Sequence, residues 1–283
     1  TPLITPEAAA VDAQVSVDNK TAAAVETKVS AVVHELGSDG RPAGEPVARS
    51  ETITVAVPAG VQAVGALNLR VLQPKLWDIK HPHRYVLVTT VQQGDQTVDR
   101  VETRFGIRSI AFTADRGFFL NGRQVAIQGV CQHHDLGALG AAINVRARER
   151  QIEILQAMGC NAIRTSHNPP APEFLELCDR MGVLVMDEAF DCWRTGKKKN
   201  DYSVAFVDWH EKDLRALIRR DRNHPSIILW SIGNEIFEQR DPQGWKLATH
   251  LAGIVRQEDR TRGVTAGFNR TERAAGLAGI RSA

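Results

Sequence analysis

The chain has 283 residues, 43% of them hydrophobic and 24% charged, which are the values of a globular protein and exclude a wholly disordered one. A formal net charge of +2 removes the case for a strongly basic nucleic-acid binder, and no apolar run reaches the roughly 18 residues of a membrane-spanning helix. The four cysteines, Cys131, Cys160, Cys178 and Cys192, form no CxxC pair and are too few for a disulfide or zinc framework.

The chain opens on Thr1 with no charged-then-apolar signal segment behind it. Its N-terminus therefore reads as an internal cut or a processed end and gives no compartment. Residues 1–106 read as short strands rich in Val, Thr and Ile, over 11–17, 24–36, 51–57, 66–72, 85–92 and 97–105. Turn residues such as Ser38-Asp39-Gly40 and Gln93-Gly94-Asp95 separate them. This predicts a small antiparallel sandwich of the immunoglobulin type. Trp77 and Asp78 fall in a loop ahead of the strand at Tyr85, where packing on the sandwich is expected of them rather than ligand contact.

Residues 107–283 alternate strand and helix. Apolar strands are predicted over 125–130, 162–165, 183–186 and 227–232, with a fifth beginning at Val264. Amphipathic helices are predicted over 146–158, 172–181, 206–222 and 245–258. Such parallel βα units fit either a doubly wound sheet or a (βα)8 barrel.

The polar residues decide between the two. Each strand runs into a polar burst: Gln132-His133-His134-Asp135, then Ser166-His167-Asn168, then Asp187-Glu188 with Asp191 and Trp193, then Asn234-Glu235. Convergence at the carboxyl ends of successive strands is how a barrel builds an active site. No GxGxxG or GxxxxGK[ST] occurs, which disfavours nucleotide chemistry. Glu235 follows a buried strand and is expected at the barrel mouth, partly shielded from water, where burial would suit a general acid. Alternatively it pairs with a neighbouring arginine such as Arg164. Asn234 is placed to hold a sugar hydroxyl. His133, His134, Asp135 and His167 suit directional hydrogen bonds to sugar hydroxyls, and the same groups are also a candidate metal set. Trp193 reads as a platform for a sugar ring or as core. Lys197-Lys198-Lys199 reads as a solvated loop, or else a phosphate site.

At these residues the chain resembles glycoside hydrolase family 2, particularly its β-galactosidases. The stretches that carry the resemblance are Leu76-Trp77-Asp78, Phe105-Gly106-Ile107-Arg108, Gly117-Phe118-Phe119-Leu120-Asn121-Gly122 and Gly129-Val130-Cys131-Gln132-His133-His134-Asp135. They continue through Asn161 to Pro169, Asp187 to Asp191, and Asp221-Arg222-Asn223-His224-Pro225-Ser226-Ile227 running into Trp230 to Glu235. The resemblance implies an immunoglobulin-like β-sandwich (1–106) followed by an incomplete (βα)8 TIM barrel (107–283). It implies retaining hydrolysis of a terminal β-D-galactoside, with Glu235 as acid/base and with His134, Asp135, His167 and Asn234 against the terminal sugar. His133, Asn168, Asp187 and Trp193 complete the candidate sugar-binding set. A Mg²⁺ or Na⁺ near the cleft is compatible with the family, although the carboxylates after Met186 match that pattern poorly.

The family nucleophile is a glutamate near the end of the seventh barrel strand, and a complete barrel takes about 250 residues. This chain reads as ending soon after the fifth strand. Glu238, Glu258 and Glu272 fall in a loop, a helix and the tail. Glu188 or Asp187 is then the candidate substitute nucleophile. The alternative is a carbohydrate-binding remnant that turns over poorly. An open half-barrel with bare strand edges further predicts a homo-oligomer.

Overall fold

The computed structural model describes residues 3–269. Glu272 and the tail from Arg270 lie outside the described residues. The chain divides into two compact units, Thr1–Val125 and the part from Ala126 on.

The first unit is built from antiparallel strands β1 (Ala8–Asp18), β2 (Val25–Leu36), β3 (Pro42–Arg49), β4 (Ile53–Val57), β5 (Gln62–Leu72), β6 (Tyr85–Gln93) and β7 (Gln96–Phe105). β1 pairs with β5, and a second sheet runs β3-β2-β6-β7 with β4 also on β2. Alternate residues turn inward, such as Val29, Ala31 and Val33 on β2 and Leu67, Leu69 and Val71 on β5, and meet Tyr85 and Ile107 in one core. Each valine and leucine among them contributes about 1.5–3 kcal/mol of burial free energy. The sequence does not predict β3, because Pro42, Gly44 and Pro46 depress strand character; an edge strand tolerates them.

Trp77 is buried, its amide donating to the Ile107 carbonyl at 2.9 Å and its carbonyl accepting from Asn121 Nδ2 at 3.0 Å. Asp78 Oδ1 accepts the amides of Lys80 and His81 at 2.7 and 2.8 Å. Both residues hold the loop in place. A small sheet of β8 (Ile110–Thr113), β9 (Gly117–Leu120) and β10 (Arg123–Gln124) closes this unit.

The second unit alternates β11 (Gly129–His133), α1 (Val145–Ala157), β12 (Ala162–Ser166), α2 (Pro172–Met181), β13 (Leu184–Glu188), α3 (Ser203–Asp221), β14 (Ile227–Asn234), α4 (Gly244–Glu258) and β15 (Gly263–Gly267). The strands form one parallel sheet in the order β11-β12-β13-β14-β15, the opening part of a (βα)8 barrel. Local chemistry sets the helix ends. Asn144 Oδ1 accepts the Ala147 amide at 3.0 Å and caps α1. Pro172 opens α2, and Gly182, with φ of 71°, closes it in the left-handed conformation. Phe174, Leu177, Leu214, Ile218, Leu251 and Val255 from the helices pack on Ile163, Val185 and Trp230 from the strands.

Strand alternation then assigns the faces. On β13, Val185 enters the helix-side core, so Asp187 faces the helices and Glu188 the opposite, barrel-lumen side. On β14, Trp230 donates its indole N–H to Asp259 on the helix side at 2.8 Å, while Ser231 turns to the lumen.

Candidate active site

The centre of the lumen-side rim is Glu188. It is fully buried, and both carboxylate oxygens are engaged. Arg164 donates to its Oε2 through Nε at 2.9 Å and Nη2 at 2.7 Å, and Ser231 Oγ adds a third donor at 2.5 Å. His167 Nδ1 donates to Oε1 at 2.6 Å. The Glu188 amide donates to Thr165 Oγ1 at 2.9 Å, which fixes the strand beneath. These are short, charge-assisted bonds from the two strands that flank β13, with Arg164 and His167 from β12 and its end and Ser231 from β14. Glu188 was expected to substitute for the nucleophile. In the structure this carboxylate is fully buried, with Oε2 accepting from Arg164 and Ser231 and Oε1 from His167, so its neighbours are held by it.

Arg164 carries the network onward. Its Nη2 also donates to Asn234 Oδ1 at 2.8 Å. Burial lowers the guanidinium's pKa, but the Glu188 contacts more than offset this and hold it above its ordinary value. The arginine thus pairs with Glu188 and Asn234, not with Glu235. Asn234 Nδ2 donates to Asp191 Oδ1 at 2.9 Å, and the same oxygen accepts from Lys197 Nζ at 2.7 Å. Lys197 Nζ donates in turn to the Asn234 carbonyl at 2.8 Å. Burial pushes the Asp191 carboxyl up, yet the Lys197 ammonium and the Asn234 amide outweigh it and hold it below the usual carboxylate range. Lys197, read from sequence as part of a solvated run, is only 18% exposed and belongs to this rim.

Glu235 follows directly. Its φ of 45° is left-handed, and its amide donates to the Gly267 carbonyl at 2.7 Å, tying the end of β14 to the end of β15. A Cβ at Gly267 would lie 2.5 Å from Arg164 Nη2, so any larger residue would displace the guanidinium from its contacts. The Glu235 side chain is exposed among the described residues, without the partial shielding expected of it.

The histidines meet in part. The His133 and His167 rings lie edge to face with centroids 5.2 Å apart. His134 sits at the same strand end, its Nε2 turned to the Ala141 carbonyl at 3.3 Å, and Asp135 and Asn168 are exposed there. Two expected members of the sugar-binding set are not on this face. Asp187 is fully buried on the helix side, and neither carboxylate oxygen receives a donor. Burial first, and the Asp221 carboxylate second, push its pKa well above the usual range. Asp221 itself accepts both arms of Arg220 at 2.7 Å. Trp193 is also fully buried; its indole N–H donates to the Ile232 carbonyl at 2.7 Å, and its ring packs against Gly233. It is core and offers no face to a sugar ring.

Glu188 and Asp191 do not fit as ligands of a Mg²⁺ or Na⁺ in the cleft, since each already carries an organic cation or hydrogen-bond donor, Arg164 and His167 on Glu188 and Lys197 on Asp191. No chemistry is routed through such an ion.

The sequence profile described as glycosyl hydrolases family 2, TIM barrel domain, matches residues 112–278, and that of glycosyl hydrolases family 2 matches residues 1–108. The beta-galactosidase BoGH2A of Bacteroides ovatus is 55% identical over 198 residues, 70% of this chain and 23% of that protein. A beta-glucuronidase of Bacteroides fragilis is 29% identical over 94% of this chain and 37% of its own length. Among solved structures, a glycosyl hydrolase family 2 member from Bacteroides cellulosilyticus superposes with a TM-score of 0.90 at 39% identity, over 98% of this chain and 35% of that one. The beta-glucuronidase of Bacteroides uniformis superposes with a TM-score of 0.82 at 27% identity, over 99% of this chain and 34% of that one. The chain therefore spans about a quarter to a third of the length of these relatives.

Proposed function

The chain belongs to glycosyl hydrolases family 2, and from that premise we propose that it carries the acid/base half of a retaining β-glycosidase site acting on terminal non-reducing β-D-galactosides. The observation that supports this reading is the setting of Glu235: an exposed carboxylate at the end of a barrel strand, next to an asparagine whose side chain is immobilised from both ends. In this role Glu235 protonates the departing glycosidic oxygen and later takes a proton from the water that releases the sugar. Asn234 keeps one amide hydrogen, beyond the one given to Asp191, for a sugar hydroxyl. His133, His134, Asp135, His167 and Asn168 line the same rim for the remaining hydroxyls.

Neutral galactose suits this rim better than a uronic acid. A sugar carboxylate would call for an uncommitted cation, and Arg164 and Lys197 are both engaged with Glu188 and Asp191. A retaining mechanism also needs a second carboxylate about 5–5.5 Å from the first. The enclosure of Glu188 favours a second reading for the chain by itself, a galactose-binding remnant with little turnover. The edges of β11 and β15, which have no strand neighbour among the described residues, would then promote self-association into a homo-oligomer.

Chromogenic β-galactoside and β-glucuronide are offered to the purified protein, beside Glu235→Gln, with galactose binding followed by calorimetry. Galactoside hydrolysis lost in Glu235→Gln supports the first reading. Galactose binding without turnover, in an oligomer by light scattering, supports the second. Preference for the glucuronide overturns the sugar assignment.

A further inference from the structure

α3 and α4 pack side by side on the outer layer of the second unit, and each presents a histidine at the contact, His210 and His250. We propose that these two imidazoles form a binding site for a divalent transition metal of the zinc, nickel and copper class. Their Nε2 atoms lie 3.3 Å apart. Two nitrogens bound to one tetrahedral zinc at about 2.0–2.1 Å are separated by about 1.6 times that bond length, which is the same spacing. The pair is therefore set at chelating distance before any ion arrives.

The surroundings prepare the ring of His210. Its Nδ1 donates to the Phe206 carbonyl at 2.7 Å, which places the hydrogen on Nδ1 and leaves the Nε2 lone pair outward. A backbone carbonyl on the far ring nitrogen is the usual outer partner of a metal-bound histidine. The ring is also stacked on Phe206, with centroids 4.8 Å apart and planes 11° from parallel, so its direction is held. The contact between the two Nε2 atoms is a hydrogen bond in which His250 Nε2–H donates to the His210 lone pair, and His250, exposed on α4, offers the second lone pair once its hydrogen moves to Nδ1. Glu211, beside His210, is held by Arg215, whose Nε and Nη2 donate to its Oε1 at 3.0 and 2.8 Å, and is not counted as a ligand.

The ligand chemistry limits the ion. Imidazole nitrogen suits zinc, nickel and copper; magnesium and calcium prefer all-oxygen shells. Among the described residues, the only group of three or more potential ligand atoms within 4.8 Å of one another lies elsewhere, at Glu176, Asp179 and His224. The pair thus supplies two protein ligands. The other positions open toward a cavity of about 310 Å³ whose lining includes Arg194, Lys246 and Leu247. Its cationic groups disfavour a further metal and favour water or a small anion as the remaining ligands. The ion would clip α3 to α4, and the inference does not depend on the sugar chemistry at the strand ends.

Chelator-stripped protein is titrated with Zn²⁺ by calorimetry and followed by thermal unfolding, with Mg²⁺ in parallel. The expected result is saturable zinc binding and a rise in Tm, both reduced by one equivalent's contribution in His250→Ala and in His210→Gln, with no response to Mg²⁺. His250 is exposed and alanine favours a helix, so His250→Ala is expected to fold. Zinc bound at Glu176, Asp179 and His224 would persist in both variants and cancel in the difference. A stoichiometry and Tm rise unchanged in His250→Ala, or no saturable zinc binding by the folded protein, overturns the proposal.

Discussion

Two neighbouring acids on β13 have opposite fates because a strand turns successive side chains to opposite faces. Glu188 faces the lumen and is neutralised by Arg164, whereas Asp187 faces the helices and meets another acid, Asp221. Sequence alone offered Arg164 only as an alternative partner of Glu235, whereas a charge within the run Ala162-Ile163-Arg164-Thr165 finds its buried partner in Glu188. The side of Asp187 was not legible either, because the polar burst gives position along the strand but not which residue of the pair points inward. The raised pKa of Asp187 has a consequence for stability. The folded state holds a proton that the unfolded chain releases, so this group favours folding below its ordinary carboxyl pKa of about 4 and loses that contribution as pH rises toward the raised value. Asp187→Asn cannot ionise and so removes the titration beside Asp221. Urea unfolding at about pH 5 and about pH 8 is expected to show the variant gaining on the parent at the higher pH.

At the scale of elements, Arg164 acts as a tie across strands. It starts on β12, pairs with the end of β13 and hydrogen-bonds the end of β14. Removing it leaves Glu188 buried with only His167 and Ser231 as side-chain donors. Arg164→Ala is expected to cost about 3–5 kcal/mol, the usual penalty for stranding a buried charge. Glu188→Gln added to Arg164→Ala is expected to recover part of that loss, read as the midpoint of urea unfolding. The helices and strands of this unit were legible from periodicity and capping signals, with ends displaced by a few residues. The loop that delivers Lys197 was not. No periodic pattern marks residues 192–202, and only the tertiary path brings the ammonium back to the Asn234 carbonyl.

For the whole molecule, the order of a sandwich and then parallel βα units was readable because hydrophobic period changes along the chain. The small sheet of β8, β9 and β10 escaped that reading, since its strands are only two to four residues long. Its place in the first unit moves the start of the parallel part to Gly129. The barrel was legible for a different reason, the recurrence of polar residues at one end of successive strands. What recurrence could not supply was the division of labour at that rim between residues that face a ligand and residues that hold them. The left-handed backbone of Glu235 adds a constraint of another kind. Asparagine is at ease in that conformation, glutamine less so and valine least. Resistance to urea is expected to fall in the order Glu235→Asn, Glu235→Gln, Glu235→Val, with the last at least about 1 kcal/mol below the first. Robustness alone would favour asparagine at position 235, so the glutamate there fits the acid/base role proposed for it better than it fits the backbone.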